Sequence, residues 1–343
     1  MKLLIITQKM DKKDPVLGFF HRWVSEFSKH FESIVTICLE KGECDLPKNV
    51  SVLSLGKENG ESKIKYIYKF YSHIWNERKN YDAVFVHMNQ EYILLGGIFW
   101  KLFGKKIYMW RNHHAGTFLT DIAASFCAKV FCTSKFSYTA KYKKTVIMPV
   151  GVDTNVFKQN LSVEKIPSSI LFLGRIAPVK KPDLLIQALS EISKKISFSA
   201  TIVGSPLPRD VEYYESLKKF VKSKNLEDKI AFENGVSNNE TPAIYSAHDI
   251  FVNLSSSGMY DKTIFEAMAC GCLVLASNKN LHGLIDDKFI FEEGNKNELK
   301  RKLENLILLS GSDKNIFGQN LSRVVVDKHS LKELAMKLKE NII

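Results

Sequence analysis

Short apolar runs alternate with longer amphipathic ones along almost the whole chain, and no other feature narrows the fold as much. In the first 150 residues the runs are KLLIIT, SIVTICL, DAVFVHM, KIYMW, KVFCTS and TVIMPV. Helical stretches such as FFHRWVSEFSKHF and IKYIYKFYSHIWNERK fall among them. A strand that is apolar on both faces must be covered on both faces. Parallel strands joined by crossover helices meet that condition. The rhythm breaks at PVGVDTNVFKQNLSVEKIPSS, a polar stretch holding Pro149, Gly151 and Pro167. It restarts with SILFLG, ATIVG, KIAFEN, DIFVNLS and CLVLAS, separated by PDLLIQALSEI, VEYYESLKKFVKSK, ETPAIYSAH and a helix over 262–270.

The expected fold class is α/β, with two doubly wound Rossmann-like domains facing a cleft. Residues 1–150 form the first domain and 151–328 the second. Residues 329–343 form a C-terminal helix, apolar at 331, 334, 335 and 338, that packs back on the first domain. A small-molecule site belongs at the carboxyl ends of the strands and in the cleft.

Of the net charge of +12, most lies in residues 1–150, which carry 23 Lys or Arg against 13 Asp or Glu. Such a half suits an anionic partner or is simply a well-solvated surface. The helix over 63–79 sharpens the choice, because Lys63, Lys65, Lys69, Arg78 and Lys79 are interleaved with Tyr66, Tyr68, Phe70, Tyr71 and Trp75. It reads either as a helix lying on an anionic membrane or as one burying an aromatic stripe. No nucleic-acid motif accompanies the charge, so nucleic acid is not an expected partner. The longest apolar run, YILLGGIFW, is too short to span a bilayer. The opening MKLLIITQKMDKKD reads as a first strand rather than a signal peptide. Six cysteines without CxxC or zinc spacing read as reduced thiols of a cytoplasmic protein. No D-x-D triplet occurs, so the usual carboxylate device for a metal-bound diphosphate is missing, and no metal or other cofactor is expected.

Chemistry concentrates in two stretches. GRIAPVKK follows a strand and precedes a helix, which puts Arg175 and Lys180 at a strand's carboxyl end. Two cations there suit a diphosphate, and the alternative is a solvated basic loop. In SGMYDKTIFEAMACG, Glu266 sits inside an otherwise apolar helix. It is either a buried carboxylate for two sugar hydroxyls or a surface glutamate. Asp261 and Lys262 stand at the helix entrance, where backbone N–H groups favour an anion or a capping carboxylate.

In their order, GRIAPVKKPDLLIQA, ATIVGS, KIAFENGVSNNETPAIYSAHDIFVNLS and IFEAMACGCLVLAS resemble retaining, nucleotide-sugar-dependent glycosyltransferases of family 4 (group 1). The resemblance covers about residues 147–280, and PVGVDTNVF looks like that family's interdomain link. It implies the GT-B architecture and transfer of a sugar from a nucleoside diphosphate sugar to an acceptor hydroxyl, in a glycan or a lipid-linked precursor. It also implies metal-independent catalysis and a phosphate clamp of Arg175 and Lys180, while the basic first half suggests peripheral contact with an anionic membrane at the inner face. Glu266 would hold the ribose, while Gly174, Val236, Lys262 and Thr263 complete the donor contacts. One position departs from the pattern. The family's first glutamate, eight residues before Glu266, is Gly258 here. Asp261 then either takes over the sugar contact or caps its helix. His113, in WRNHH after a strand, lies where the family often has a histidine near the reacting sugar; His114 and His87 are lesser candidates. Structural roles stay open for all three. Gly18, between the first strand and a helix, admits a phosphate or sugar or is a turn glycine. Ser134 and Lys135 fall on the same edge. Two other functions stay open on this fold: a sugar-nucleotide epimerase, and an inactive nucleotide-sugar binder.

Overall fold

The computed structural model describes the chain except residues 15, 256–258 and 343. It divides into two compact units, Met1–Gly151 with Leu331–Ile343, and Val152–Ser330. The chain thus passes from one unit to the other at 151–152 and returns at 330–331.

The first unit is a seven-stranded, all-parallel sheet in the order β3-β2-β1-β4-β5-β6-β7. Its strands are β1 (Lys2–Met10), β2 (Ser33–Lys41), β3 (Val50–Ser54), β4 (Ala83–His87), β5 (Lys106–Trp110), β6 (Lys129–Cys132) and β7 (Thr145–Ile147). Helices α1 (Gly18–Phe27), α2 (Lys63–Asn76), α3 (Glu91–Leu102) and α4 (Phe118–Phe126) make crossovers. Along β1 the side chains alternate between two cores, because successive residues of a strand face opposite ways. Leu3 and Ile5 join Phe20, Trp23, Val24 and Phe27 of α1 on one face. Leu4 and Ile6 join Phe70, Ile93 and Trp100 on the other.

The C-terminal helix α11 (Leu331–Asn341) adds Leu334, Ala335 and Leu338 to the α1 face. Gly151 makes that fit possible. Its φ is +75°, a Cβ there would stand 2.4 Å from Leu334, and its carbonyl accepts the Trp23 Nε1 hydrogen bond at 2.9 Å. YILLGGIFW is the body of α3, and at Gly97 a Cβ would meet the Phe126 ring at 2.9 Å, so the glycine lets α4 pack close. The alternation had left β3, α3 and α4 unread.

The second unit is a five-stranded parallel sheet in the order β10-β9-β8-β11-β12. Its strands are β8 (Ser169–Leu173), β9 (Ser199–Val203), β10 (Ile230–Glu233), β11 (Ile250–Asn253) and β12 (Leu273–Ala276). Its helices are α5 (Pro182–Ile192), α6 (Val211–Ser223), α7 (Thr241–Ala247), α8 (Lys262–Ala269), α9 (Lys296–Ile307) and α10 (Gly311–Lys328), the last two not read from the sequence. Order reverses at β8, which pairs with β9 on one side and β11 on the other. Both units are therefore doubly wound α/β structures.

Below β11, Lys314 of α10 reaches Asp249 at 2.9 Å, with both side chains about nine-tenths buried. Asp249 also accepts the Ser168 backbone N–H at 2.9 Å. Without Lys314, Asp249 keeps only the more distant Lys165 ammonium, at 3.9 Å, and breaking the main pairing of a buried charge costs about 3 kcal/mol. Lys314→Met should therefore lower the thermal midpoint by several degrees. Lys300→Met, which removes a cation from the solvent-accessible, half-buried pair with Glu191, should leave it nearly unchanged. Equal shifts in the two variants would refute the role of Lys314.

Candidate functional site

The loops after β8 and β11 leave the sheet side by side, at the point where the strand order reverses. Lys180, which ends the β8 loop just before α5, sends its ammonium to Asp261 Oδ2 at 2.6 Å and to Ser255 Oγ at 3.0 Å. Asp261 is the N-cap of α8, and its Oδ1 accepts from Thr263 N at 3.3 Å and Thr263 Oγ1 at 2.9 Å. Asn253, at the end of β11, donates to Asp261 Oδ2 at 3.2 Å, and Ser255 Oγ donates to the same oxygen at 3.0 Å. Burial alone would raise the Asp261 carboxyl, but the Lys180 ammonium and these hydrogen bonds hold it down at about 2. The helix cap is thus present, and both oxygens of Asp261 are engaged within the protein.

Arg175, from the same β8 loop, is exposed, and no described residue pairs with its guanidinium. Gly174 leaves open space where a Cβ would stand. Glu266 lies on α8 and is 3% exposed, with Asn238 Nδ2 3.4 Å from its Oε1. Burial removes the surface-glutamate reading. Val236 is half-buried in the loop after β10, and Lys262 opens α8. Gly258 lies outside the described residues. Asn253, Ser255 and Asn238 were not singled out from the sequence. Their signal was polar residues at the ends of apolar strands, in VNLS and ENGVSNN, which is common to many loops.

In the first unit, His113 follows β5 and is exposed, with its Nδ1 3.0 Å from the Ala115 backbone N and its ring stacked on His114 at 4.6 Å. His87 is 2% exposed, stacked on Phe20 at 3.9 Å and 3.2 Å from Thr7 Oγ1, which is a packed structural environment. Gly18 begins α1, and a Cβ there would stand 3.1 Å from the Lys12 carbonyl, so its bareness serves the chain's own loop. Ser134 is buried and accepts the Phe136 N–H through its hydroxyl, while Lys135 is exposed over the Phe136 ring. Among the described residues no group of three or more His, Cys, Asp or Glu is placed to hold a metal ion.

The family described as "Glycosyl transferases group 1" matches residues 153–338, more than half of the chain. The chain belongs to this family. This group 1 glycosyltransferase is 29% identical over 154 residues to D-inositol 3-phosphate glycosyltransferase of Kineococcus radiotolerans, covering 41% of this chain and 35% of that one. It is 31% identical over 180 residues to mannosylfructose-phosphate synthase of Agrobacterium fabrum, covering 46% of this chain and 39% of that one. The matched stretch thus spans well under half the length of these curated relatives. The crystal structure of Anabaena Alr3699/HepE in complex with UDP and glucose aligns with 100% of this chain and 99% of that one. Its TM-score is 0.77 at 17% identity, a likeness of fold: the paired parallel-sheet units of GT-B glycosyltransferases.

The Asp261 geometry carries a pH signature. A carboxyl held near 2 against an ordinary 3.8 stabilises the fold by about 2 kcal/mol above pH 4, and that stabilisation is lost as pH falls from 4 towards 2. Asp261→Asn still caps α8 but carries no charge. Its unfolding free energy, measured in urea, should fall below wild type by about that amount at pH 6, and the gap should close towards pH 2. A gap independent of pH would refute the ion pair.

Proposed function

We propose that this group 1 glycosyltransferase moves a sugar from a nucleoside diphosphate sugar to an acceptor hydroxyl, with retention and without a metal. The carrying observation is the convergence, at the strand-order reversal of the second unit, of Arg175, unpaired among the described residues, an anchored Lys180 and a buried Glu266. An ammonium has three donors. Two of Lys180's go to Asp261 and Ser255, which leaves one for a phosphate oxygen. Arg175 offers a planar fork that suits a phosphate. Together they neutralise charge as the diphosphate departs. Glu266 accepts both ribose hydroxyls, with Gly174, Val236, Lys262 and Thr263 completing the donor contacts. Asp261 serves the donor by positioning Lys180, since its own oxygens are engaged. The acceptor attacks from the face the diphosphate leaves, and the departing phosphate oxygen takes the acceptor's proton. No carboxylate nucleophile is required, unlike in retaining hydrolases. His113 is a proposed contact of the acceptor in the first unit. The bound UDP and glucose of the HepE neighbour support this donor class, as does the glycosyltransferase name of the Kineococcus relative.

The acceptor is proposed to be a glycan or a lipid-linked precursor at an anionic membrane surface on the cytoplasmic side. The support is the face of α2. It buries Phe70 and Ile74 but leaves Ile64 80%, Tyr68 73% and Trp75 51% exposed beside Lys63 and Lys65. The aromatic stripe is therefore split between core and surface. On α3, Ile98 and Leu102 are exposed as well. No helix among the described residues is long and apolar enough to cross a membrane.

Arg175→Ala and Lys180→Ala should each slow transfer roughly 100-fold and weaken binding of the bare nucleoside diphosphate. Glu266→Gln should weaken nucleoside diphosphate and nucleotide sugar about equally, and EDTA should leave wild-type turnover unchanged. Calorimetry and product assays read all of these, and wild-type behaviour in the arginine and lysine variants would refute the clamp. The protein should also sediment with anionic vesicles and be released by high salt; sedimentation that is indifferent to salt or lipid charge would remove the membrane from the proposal.

A further inference from the structure

Two lysines in succession close the loop after β8, and they go to different partners. Lys180 reaches Asp261 on the β11 side, while Lys181 Nζ donates to Glu293 Oε1 at 2.8 Å on the β12 side. Between them the backbone turns in an uncommon way. Lys181 has φ +50° and ψ +39°, in the left-handed region, and stands as the N-cap of α5 with no side-chain hydrogen bond to the helix. A Cβ crowds the backbone in that region, so a lysine there is strained where a glycine is not. Pro182 follows, and the residue before a proline is driven towards extended backbone. The local sequence therefore opposes the conformation that residue 181 holds, and something outside the turn must maintain it.

We infer that the Lys181–Glu293 pair is a strut that holds this turn, which makes Glu293 a positioning residue for the diphosphate clamp. The inference rests on the transferase reading, which gives Lys180 its phosphate. Glu293 stands on a firm base. The Phe291 N–H bonds the carbonyl of Ala276, at the end of β12, at 3.1 Å, and the Glu292 N–H bonds Glu298 Oε2 of α9 at 2.7 Å. From that base the carboxylate holds the side chain of the strained residue. Were residue 181 to relax to extended backbone, the chain would leave it in a new direction. Lys180 would then lose either its 2.6 Å contact with Asp261 or its place before α5. Both side chains of the strut are about one-third exposed, so the ion pair adds little to global stability. Its effect is local, on the direction of one backbone turn at the clamp. The sign of the charge separates this role from direct contact with the ligand. A carboxylate repels a diphosphate, so by electrostatics alone the loss of Glu293 would strengthen anion binding. Loss of the strut weakens it.

The test measures binding of inorganic pyrophosphate to the full chain by calorimetry, which probes the clamp without a choice of nucleobase. Glu293→Ala should weaken pyrophosphate about fivefold or more, the factor that the cost of a left-handed residue produces when nothing opposes it. Its thermal midpoint should stay within about one degree of wild type. Adding Lys181→Gly to Glu293→Ala should restore wild-type affinity, because glycine holds the left-handed turn without a strut. That double variant also keeps the wild-type net charge. Unchanged or tighter binding in Glu293→Ala, or a double variant as weak as the single one, overturns the strut. Lys180→Ala is measured on parallel preparations. If it loses pyrophosphate while Glu293→Ala does not, the clamp stands and the strut alone fails. If Lys180→Ala binds as wild type does, the clamp falls and the strut with it.

Discussion

A parallel strand cannot return to its neighbour through a tight turn, so each strand hands the chain to a crossover that brings it back to the same starting edge. All carboxyl ends then open on one side of the sheet. In the second unit that rule gathers the loops after β8, β10 and β11 on one edge. Reversal of strand order at β8 keeps the β8 and β11 loops from being covered by a shared crossover. Lys180 and Asp261 are 81 residues apart in sequence and 2.6 Å apart in space for that reason.

The ion pair they form couples two structural jobs. Asp261 starts α8 through Thr263 and fixes the Lys180 ammonium with its other oxygen. The helix that carries Glu266 and the cation proposed for the phosphate are therefore set by one carboxylate. Partial burial strengthens the attraction between the charges. Four further hydrogen-bond donors, from Ser255, Asn253 and the backbone and hydroxyl of Thr263, share the cost of desolvating the carboxylate. The result is a charged group prepared before any ligand arrives, which is the condition for electrostatic stabilisation without reorganisation.

The first unit uses the same sheet rule differently. Its strand ends are occupied by packing as much as by chemistry: His87 closes against Phe20, and Gly18 against the Lys12 carbonyl. What stays open is the space between α2 and α3, where two helices cross the sheet with large side chains in their cores and their first turns apart.

Sequence alone determined the parallel α/β class, the two-domain division and the polar loops at strand ends. Those follow from the period of apolar residues and the length of the connections, which are local quantities. It also pointed to Arg175, Lys180, Asp261 and Glu266, because charged residues beside apolar runs are costly unless they have a task or a partner. It left β3, α3, α4, α9 and α10 unread, since polar-rich segments and a helix apolar on all sides, such as α3, carry little periodic signal. Only the tertiary structure decided which of those charges meet. That Asp261 faces Lys180 while Arg175 pairs with no described residue, and that His87 is buried while His113 is not, depends on strand order and on helices packing from distant parts of the chain. Distances across a sheet are fixed by the order of its strands, and strand order is not written in any one segment.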